Sequence, residues 1–354
     1  MPKKFDNRLQ AFHEFEQLLL AYPQGLSKSE IAQKLGIHRA TAGDYVDEFS
    51  RWLAIAEPAP DRYAIDREHY KLKLELTLNE CLTLHSGVRM LEKCTDKHNP
   101  HAASAVRQLA HVMEKFAPLI AQHMRWSADA IDGEKRRRDP VFLDVLATLS
   151  EAWSLGRKVK LTHQLEDGKV FEYEFAPYYI EPYPVGRTMH VIGLRKPPNQ
   201  IRTFKIERIR TVKLLNESFE IPNDFDPREH LMNAWGIWAS EHQPETVVLR
   251  FARRVAMRVR ESVWHPNEVV TETADGSILW QAEIAEWREM LNWVRGWGAD
   301  CEVLKPVEMR ETVMGEARAI AEQYGWQVHS AGTSGHTKPS LSDTFSNFFG
   351  EAKS

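Results

Sequence analysis

The sequence predicts a multidomain α+β protein assembled from several small modules. Its 354 residues exceed the length of a typical single-core domain and suit two to four modules. Apolar residues recur with a helical period to about residue 155, and short strand-like segments follow. From about residue 246, strands and helices alternate in a βαββαβ order, which is the order of a ferredoxin-like module.

Composition excludes two broad classes of protein. Hydrophobic residues make up 43% of the chain and charged residues 27%, with a net charge of -4, which fits neither a disordered chain nor a membrane-embedded one. No apolar run approaches the roughly 18 residues that a membrane span requires. The three cysteines form no Cys-x-x-Cys pair, and the first residues contain no apolar signal-peptide core. We therefore expect a cytoplasmic protein with reduced thiols and no membrane partner.

The amino-terminal module, residues 1 to 68, is predicted to be a winged helix-turn-helix. Apolar residues at helical spacing predict a first helix over residues 7 to 21. Ser27 lies three residues before Glu30, which is the spacing of a capping box, so a short second helix should follow and end at Gly36.

A third helix, from about residue 38 to residue 52, completes the helix-turn-helix. A Pro-rich turn at residues 58 to 61, between two short apolar segments, predicts the two-stranded wing. The first side chains of a recognition helix read base edges, where Arg pairs with guanine and Thr contacts a thymine methyl group or a phosphate. The candidate DNA-binding residues are Ser27, Lys28, His38, Arg39, Thr41, Tyr45 and Arg62.

The charge of this module argues against strong DNA binding. Residues 1 to 66 contain 8 basic and 10 acidic residues, although phosphate neutralisation supplies most non-specific affinity. Any exposed helix start is polar, and an exposed Arg62 could serve solubility alone. We expect modest, salt-dependent binding to an inverted-repeat DNA operator, with the two readers of a homodimer acting together.

Two further modules are predicted between residues 69 and 222. Residues 69 to 140 form a helical connector and dimerisation segment, with one break at Asn99-Pro100 and a basic run at residues 135 to 138. Residues 141 to 222 begin with a helix and continue with five short strands, which suit a small β-barrel of the Sm or SH3 type. The strands are predicted at residues 159 to 163, 170 to 175, 189 to 194, 201 to 206 and 209 to 214, with a hairpin turn at Asp167-Gly168.

The barrel module carries the positive charge of the chain. Residues 141 to 215 contain 12 basic and 8 acidic residues, an excess that attracts anions. Guanidinium groups bind phosphate or carboxylate in a fork, and aromatic faces stack on bases. The alternative for each Arg alone is an ordinary salt bridge, for instance to Glu207. The candidate ligand-binding residues are Tyr178, Arg187, His190, Arg202, Phe204 and Arg208.

The last third of the chain contains the ferredoxin-like module, residues 223 to 328, and a predicted flexible tail, residues 329 to 354. Tryptophans in the module recur at helix-like intervals, and we interpret them as core and interface packing. The pair His98-x-x-His101 spans Pro100 and lacks a third ligand at metal-binding spacing. We expect no metal and no cofactor.

Four segments of the chain resemble the WYL-domain transcriptional regulators of bacteria, and the likeness covers about residues 8 to 328. Residues 26 to 41 resemble the amino-terminal reader of that family, and residues 201 to 209 resemble its arginine-bearing strand. Pro177-Tyr178, followed by a strand into Ile192-Gly193, matches the segment before that strand. The carboxy-terminal WCX extension is matched in order by Phe225-Asp226, Trp235-Gly236-Ile237, Trp264-His265-Pro266-Asn267, Trp297-Gly298 and Val303-Leu304-Lys305-Pro306.

The resemblance implies a regulator whose WYL barrel binds a nucleotide or a short single-stranded nucleic acid. The chain departs from the family at two places. Met189-His190-Val191 stands where the family has Trp-Tyr-Leu, which removes two aromatic surfaces. Gly43 and Asp44 replace the usual basic pair of the recognition helix, which lowers the expected affinity for an operator.

An enzymatic role finds no support in the sequence. The chain contains no Gly-x-x-x-x-Gly-Lys-Ser/Thr, Gly-x-Gly-x-x-Gly, His-Glu-x-x-His or Gly-x-Ser-x-Gly motif. We therefore expect a ligand-responsive DNA-binding regulator that is not an enzyme. The alternatives are an accessory subunit that holds single-stranded nucleic acid for a partner enzyme, and a hydrolase acting on a nucleotide.

Overall fold

The structure is a computed structural model that describes residues 8–67, 69–71, 74–133, 138–239 and 243–326. The chain forms two compact units, Met1–Pro222 and Asn223–Ser354. The predicted flexible tail at residues 329 to 354, and residues 135 to 137 of the predicted basic run, lie outside the described residues.

The first unit begins with three short helices and a two-stranded antiparallel hairpin, which we call the reader. These elements are α1 (Arg8–Ala21), α2 (Lys28–Leu35), α3 (Arg39–Phe49), β1 (Ile55–Ala59) and β2 (Arg62–Ile65). Their apolar faces share one core, which includes the fully buried Phe15, Leu19, Ile31 and Phe49.

Capping side chains set the ends of the reader's helices. The predicted capping box is present, since Ser27 Oγ accepts from the Glu30 N–H while Glu30 accepts from the Ser27 N–H. Gly36 ends α2 in a left-handed conformation at φ 67°, which glycine adopts without strain. The third helix is shorter than predicted, because His38 lies outside it as the N-cap and Ser50 ends it.

Four helices follow, of which the first three share a core that we call the connector. They are α4 (Leu78–Lys93), α5 (Pro100–Met113), α6 (Pro118–Gly133) and α7 (Pro140–Leu155). The sequence predicted one break here, at Asn99-Pro100, and the structure has a second break before Pro118. The helix α5 ends at Met113, and α6 starts at Pro118, where a proline is tolerated because the first N–H groups of a helix have no partner within it.

A five-stranded antiparallel sheet packs against α7 and completes the first unit. The strands are β3 (Arg157–Gln164), β4 (Val170–Tyr183), β5 (Thr188–Lys196), β6 (Gln200–Lys205) and β7 (Ile209–Ser218). Their order in the sheet is β6-β5-β4-β3-β7. One face, which we call the inner face, buries Leu161, Phe175, Val191 and Phe204 against Phe142 and Leu149 of α7.

The strand β4 is much longer than the predicted segment of residues 170 to 175. A register shift between Pro177 and Tyr179 lets the strand continue past a residue that cannot donate to the ladder. Opposite this point, a Cβ on Gly193 would overlap the carbonyl oxygen of Ala176 and lie 2.8 Å from the Phe175 ring. Glycine at this position is therefore required by close packing.

The second unit is built on a four-stranded antiparallel sheet. The elements are α8 (Pro227–His230), β8 (Glu245–Phe251), α9 (Ala256–Arg260), β9 (Val269–Glu272), β10 (Ile278–Ile284), α10 (Leu291–Trp297), β11 (Cys301–Lys305) and α11 (Val307–Gln323). From β8 to β11 the element order is the predicted βαββαβ order, and the sheet order is β11-β8-β10-β9. Both helices between strands are preceded by a single 3-10 turn, at Arg253–Val255 and Trp287–Met290.

Aromatic packing and one buried carboxylate organise this unit. Trp280 is fully buried, and Trp264, Trp293 and Trp297 pack against the same core, as the sequence predicted for these tryptophans. The carboxylate of Glu289 accepts hydrogen bonds from three consecutive backbone N–H groups, at residues 236 to 238, with donor–acceptor distances of 2.9, 2.8 and 3.2 Å. These bonds fix the segment before β8 to the sheet's helices. Among the described helices, none is both long and apolar enough to cross a membrane.

Candidate functional site

The outward face of α3 is the first candidate surface. Arg39, Ala40 and Asp44 are exposed, whereas the opposite face buries Ala42, Tyr45, Val46 and Phe49 in the reader's core. His38 is exposed and its Nδ1 accepts from the Ala40 N–H at 3.3 Å, so capping orients this ring. Thr41 is half-buried. The structure thus places His38 and Arg39 at the exposed start of the helix, as a base-reading role requires.

Tyr45 does not share this surface. Its side chain is buried, and the ring stacks on Phe49 with centroids 4.9 Å apart and contacts Phe15 edge to face. A ring in this position packs the reader's core and cannot reach a base edge, so the predicted DNA contact does not fit. The helical spacing of Tyr45, Val46 and Phe49 was the signal for this core role.

Arg62, a candidate DNA-binding residue of the predicted wing, instead holds the hairpin against α2. Its guanidinium donates to the Gly25 carbonyl from Nε at 3.1 Å and from Nη2 at 2.7 Å, and it pairs with Glu30 at 3.3 Å. Hydrogen bonds from Ser27, followed by the charge of Arg62, hold the pKa of Glu30 below its usual value. Ser27 is therefore engaged as a cap, and Lys28 lies over the Tyr63 ring at 5.3 Å. Three predicted DNA-binding side chains thus make contacts within the reader.

Arg187, a predicted ligand-binding residue, joins the sheet to the connector. It has φ 52°, and its Nη2 donates to the Lys93 carbonyl at the end of α4 at 3.0 Å. The Asp96 N–H donates in turn to the Arg187 carbonyl at 3.2 Å, and the two side chains lie 3.6 Å apart. Because its guanidinium and its carbonyl are both bonded to residues at or just beyond the end of α4, Arg187 acts as a staple between the β4–β5 hairpin and this helix.

Tyr178 and His190 are more buried than a surface ligand site would suggest. Tyr178 is 4% exposed and stacks on Phe219, while His190 is 8% exposed and meets the edge of Tyr183. Burial, reinforced by Lys205 and Arg208, lowers the pKa of His190 to about 4. The ring is neutral at pH 7, and its Nδ1 has no hydrogen-bond partner among the described residues.

Arg208 makes a salt bridge, which was the sequence-based alternative, but with Glu166 rather than Glu207. The Arg208 Nη2 lies 2.6 Å from Glu166 Oε1 in an exposed pair. Glu207 accepts instead from the Met189 N–H at 3.0 Å, and burial raises the pKa of its carboxyl.

Aromatic and arginine side chains meet at the edge of the inner face, in a set that we call the mouth cluster. Arg202 and Phe204 lie on this face of β6 by the two-residue alternation of a strand. Sequence reasoning missed Phe171, Tyr173 and Arg195, although the alternation in Phe171-x-Tyr173-x-Phe175 could have indicated the two aromatic members. The mouth cluster is Phe171, Tyr173, Arg195, Arg202 and Phe204.

Sequence profiles of two domain families match the chain. The WYL domain matches residues 144–214, and the WCX domain matches residues 243–321. The chain therefore contains a WYL domain and a WCX domain. The matched WYL segment contains the mouth cluster and all six predicted ligand-binding residues.

Two solved structures resemble this WYL-domain protein. One is proteasome accessory factor B/C (PafBC) of Arthrobacter aurescens, at 17% identity and a TM-score of 0.33, with coverage of 92% of this chain and 50% of that one. The other is a CRISPR Cas-related protein, at 9% identity and a TM-score of 0.38, with coverage of 57% and 54%. The chain thus spans about half the length of the structures it matches. No curated protein matches it.

The WYL-domain protein offers no evident metal centre in the part of the chain that the structure describes. There, no three His, Cys, Asp or Glu side chains are grouped closely enough to hold a metal ion.

Proposed function

We propose that this WYL-domain protein is a cytoplasmic transcriptional regulator that reads duplex DNA through its reader and responds to an anionic ligand in its WYL domain. The observation that carries the proposal is α3, whose exposed start presents Arg39 and His38 while its other face closes the reader's core. Arg39 makes no hydrogen bond or ion pair with any described residue, so its fork is available to a guanine edge.

The architecture supports this assignment. Three helices with a capped turn and a two-stranded hairpin fit a winged helix-turn-helix. The sheet order β6-β5-β4-β3-β7, with a 3-10 turn at Ile206–Arg208 before the last strand, fits a small barrel of the Sm or SH3 type. The second unit fits a ferredoxin-like module. We propose binding rather than catalysis as the role of all three.

A homodimer would present two readers to the half-sites of an inverted repeat. Support comes from an apolar groove of about 910 Å³ between α4 and α5. Leu84, Val112 and Phe116 line it and are 44%, 73% and 75% exposed, which is unusual for large apolar side chains on a monomer. We propose that a second copy of the chain covers this groove.

The experiment that tests the function is selection of duplex DNA from a random-sequence pool by the full-length protein, followed by gel-shift titration at two salt concentrations. We expect an enriched inverted repeat whose binding survives competitor DNA. Arg39→Ala should abolish enrichment at one base pair per half-site, as loss of a bidentate guanine contact predicts. Arg51→Ala, an exposed cation just beyond α3, is the matched control and should leave the selected sequence unchanged.

An accessory role with single-stranded nucleic acid is favoured by one observation. Asp44 and Asp47 are exposed on the outward face of α3, where they would repel duplex phosphates. Recovery of single strands but no enriched duplex would favour this second function, because the regulator requires a duplex operator.

A further inference from the structure

One face of α3, which we call the reading face, combines a single cation with two carboxylates. By the helical period it consists of Arg39, Ala40, Gly43, Asp44 and Asp47. Gly43 is half-buried, and the other four residues are exposed. A surface that bound duplex DNA through its phosphates alone is expected to carry an excess of lysine and arginine. The carboxylates on this face therefore require an explanation other than phosphate binding.

The carboxylate of Asp44 has unused acceptors. It makes no hydrogen bond or ion pair with any described residue. Glu48, about one turn further along α3, shows the contrast, because Arg8 of α1 donates to it from Nε at 3.2 Å. A carboxylate that pairs within the fold contributes to stability, whereas Asp44 keeps its oxygens for a partner outside the reader.

Gly43 lies in the middle of α3, although the fold does not require a glycine there. Among the described residues, a Cβ added at Gly43 would meet only Lys28 Cδ, at an ordinary contact distance of 3.8 Å. The backbone of Gly43 is not in the left-handed region. Glycine in a helix interior is less favourable than alanine, because it loses more conformational freedom on folding. Since neither packing nor φ explains this glycine, we attribute it to a ligand that approaches the backbone of α3 closely.

The order of these residues along the helix matches the spacing of base pairs. Arg39 is the first residue of α3 and Asp44 the sixth, so they lie about 7.5 Å apart along the axis. Base pairs follow one another at about 3.4 Å, so the two side chains are about two base pairs apart when α3 lies along the groove. Between them, Ala40 and Gly43 present nothing larger than a methyl group. The helix can therefore approach the base edges at this place.

Among the four bases, cytosine suits a carboxylate best. Its edge in the major groove presents the N4 amino group, which is a donor, and no acceptor. Adenine carries the N7 acceptor beside its amino group, and guanine and thymine present acceptors that would repel Asp44. The same carboxylate repels phosphates, so it weakens binding to every duplex and compensates only where it meets a cytosine.

We propose that Asp44 is a specificity-determining residue that accepts a hydrogen bond from a cytosine amino group in each half-site, and that Gly43 lets α3 come close enough for this contact. The proposal rests on the duplex reading proposed above and names the bases that the reader selects. Each half-site contains a guanine read by Arg39 and a cytosine about two base pairs away. The negative charge on the reading face thus lowers affinity and raises selectivity.

Duplex selection from a random-sequence pool, repeated with full-length variants, tests the role of Asp44. We expect the wild type to prefer cytosine at this position at least about tenfold over the other bases. Asp44→Ala should reduce the preference to within about twofold and should bind an unrelated duplex at least as tightly as the wild type, because a repelling charge is lost. Thermal melting shows whether this exposed substitution leaves the fold intact.

The matched control is Asp47→Ala, which removes the same charge about one turn further from the start of α3. The first residues of a recognition helix contact the bases, so this variant should keep the cytosine preference. An unchanged preference in Asp44→Ala, an equal loss in Asp47→Ala, or a selected half-site without a cytosine would overturn the role of Asp44.

The variant Gly43→Ala tests the close approach of α3. Because a Cβ fits the fold and alanine favours a helix, the melting temperature should stay the same or rise. Binding to the selected duplex should nevertheless weaken at least about fivefold, which is comparable to the loss of one base contact. A lower melting temperature would mean that the fold needs this glycine, and unchanged affinity would mean that no close approach occurs. Either result would overturn the role of Gly43.

The wild-type selection separates this proposal from the proposed function. A wild-type protein that enriches no duplex would contradict the reading of duplex DNA as a whole. A wild-type protein that enriches an inverted repeat, with the same base preferences after Asp44→Ala, would contradict this proposal alone.

Discussion

The reader and the mouth cluster use their arginines in opposite ways. Arg62 of the reader donates to the Gly25 carbonyl and pairs with Glu30, so its donors are satisfied within the fold. Arg195 of the mouth cluster keeps a buried Nε without a partner in the described part of the chain. Both residues are basic side chains on strands, and the sequence alone does not separate them. The difference teaches that an arginine indicates binding only when its own fold leaves donors unused.

Protonation of the two buried histidines of the WYL domain should have the largest effect on stability among the changes that we predict. Burial lowers the pKa of both His163 and His190 to about 4, against 6.5 in an unfolded chain. The unfolded state therefore binds more protons between these values, and stability should fall as the pH drops from about 6.5 to about 4. Each ring contributes as much as about 3 kcal/mol, although the two interact and do not add fully. Thermal melting of the full-length protein across this range measures the loss.

The matched control for this prediction is His163→Asn, which should flatten the pH dependence. Burial raises the pKa of Glu207, which acts in the opposite sense and makes the protein less stable as the pH rises above its unfolded value. The net change of stability with pH therefore tests whether the two histidines outweigh Glu207. An equal pH dependence in the wild type and in His163→Asn would mean that the His163 ring nitrogen has a solvent or hydrogen-bond partner.

Local sequence patterns predicted the elements better than they predicted the site. The capping box at Ser27, the hairpin at Asp167-Gly168 and the βαββαβ order are all present, because each depends on neighbours in the chain. The length of β4 was missed, since the bulge after Pro177 depends on packing against Gly193. Such a contact between strands leaves no local signal.

The candidate site shows the same limit. Arg202 and Phe204 were identified, but Arg195 enters the mouth cluster only through the register of β5 with β6. Arg187 shows the reverse error, because its positive φ and its bond to the Lys93 carbonyl arise from the meeting of a hairpin with α4. A charge count over the module cannot distinguish these arginines.

The variant Arg62→Ala tests whether this arginine stabilises the reader or contacts DNA. We expect a loss of about 1 kcal/mol in the stability of the reader, since partly exposed charged hydrogen bonds contribute modestly. The slope of DNA affinity against salt concentration should stay unchanged, because the side chain faces Gly25 and Glu30. Gel shifts at several salt concentrations and thermal melting provide the two measurements. A slope lower by about one unit would instead place Arg62 on a phosphate, in keeping with its choice as a candidate DNA-binding residue.

The variant Arg187→Gly should have the smallest effect on stability. It tests whether Arg187 joins the hairpin to α4 or contacts a ligand. Glycine adopts the φ of 52° without strain, so only the side-chain bonds to the Lys93 carbonyl and Asp96 are removed. Loss of one partly exposed hydrogen bond, about 1 kcal/mol, should speed amide exchange at the end of α4 about fivefold.

The measurement is hydrogen exchange at residues 93 to 96, with Arg210→Gln as a control that leaves these amides unchanged. Unchanged exchange together with weaker binding of AMP, a nucleotide of the class that the family resemblance implies for the WYL domain, would return Arg187 to the ligand site. Faster exchange with AMP binding intact would instead show that Arg187 is a structural staple between the β4–β5 hairpin and α4, because the bonds to the Lys93 carbonyl and Asp96 then stabilise the end of the helix without touching the ligand.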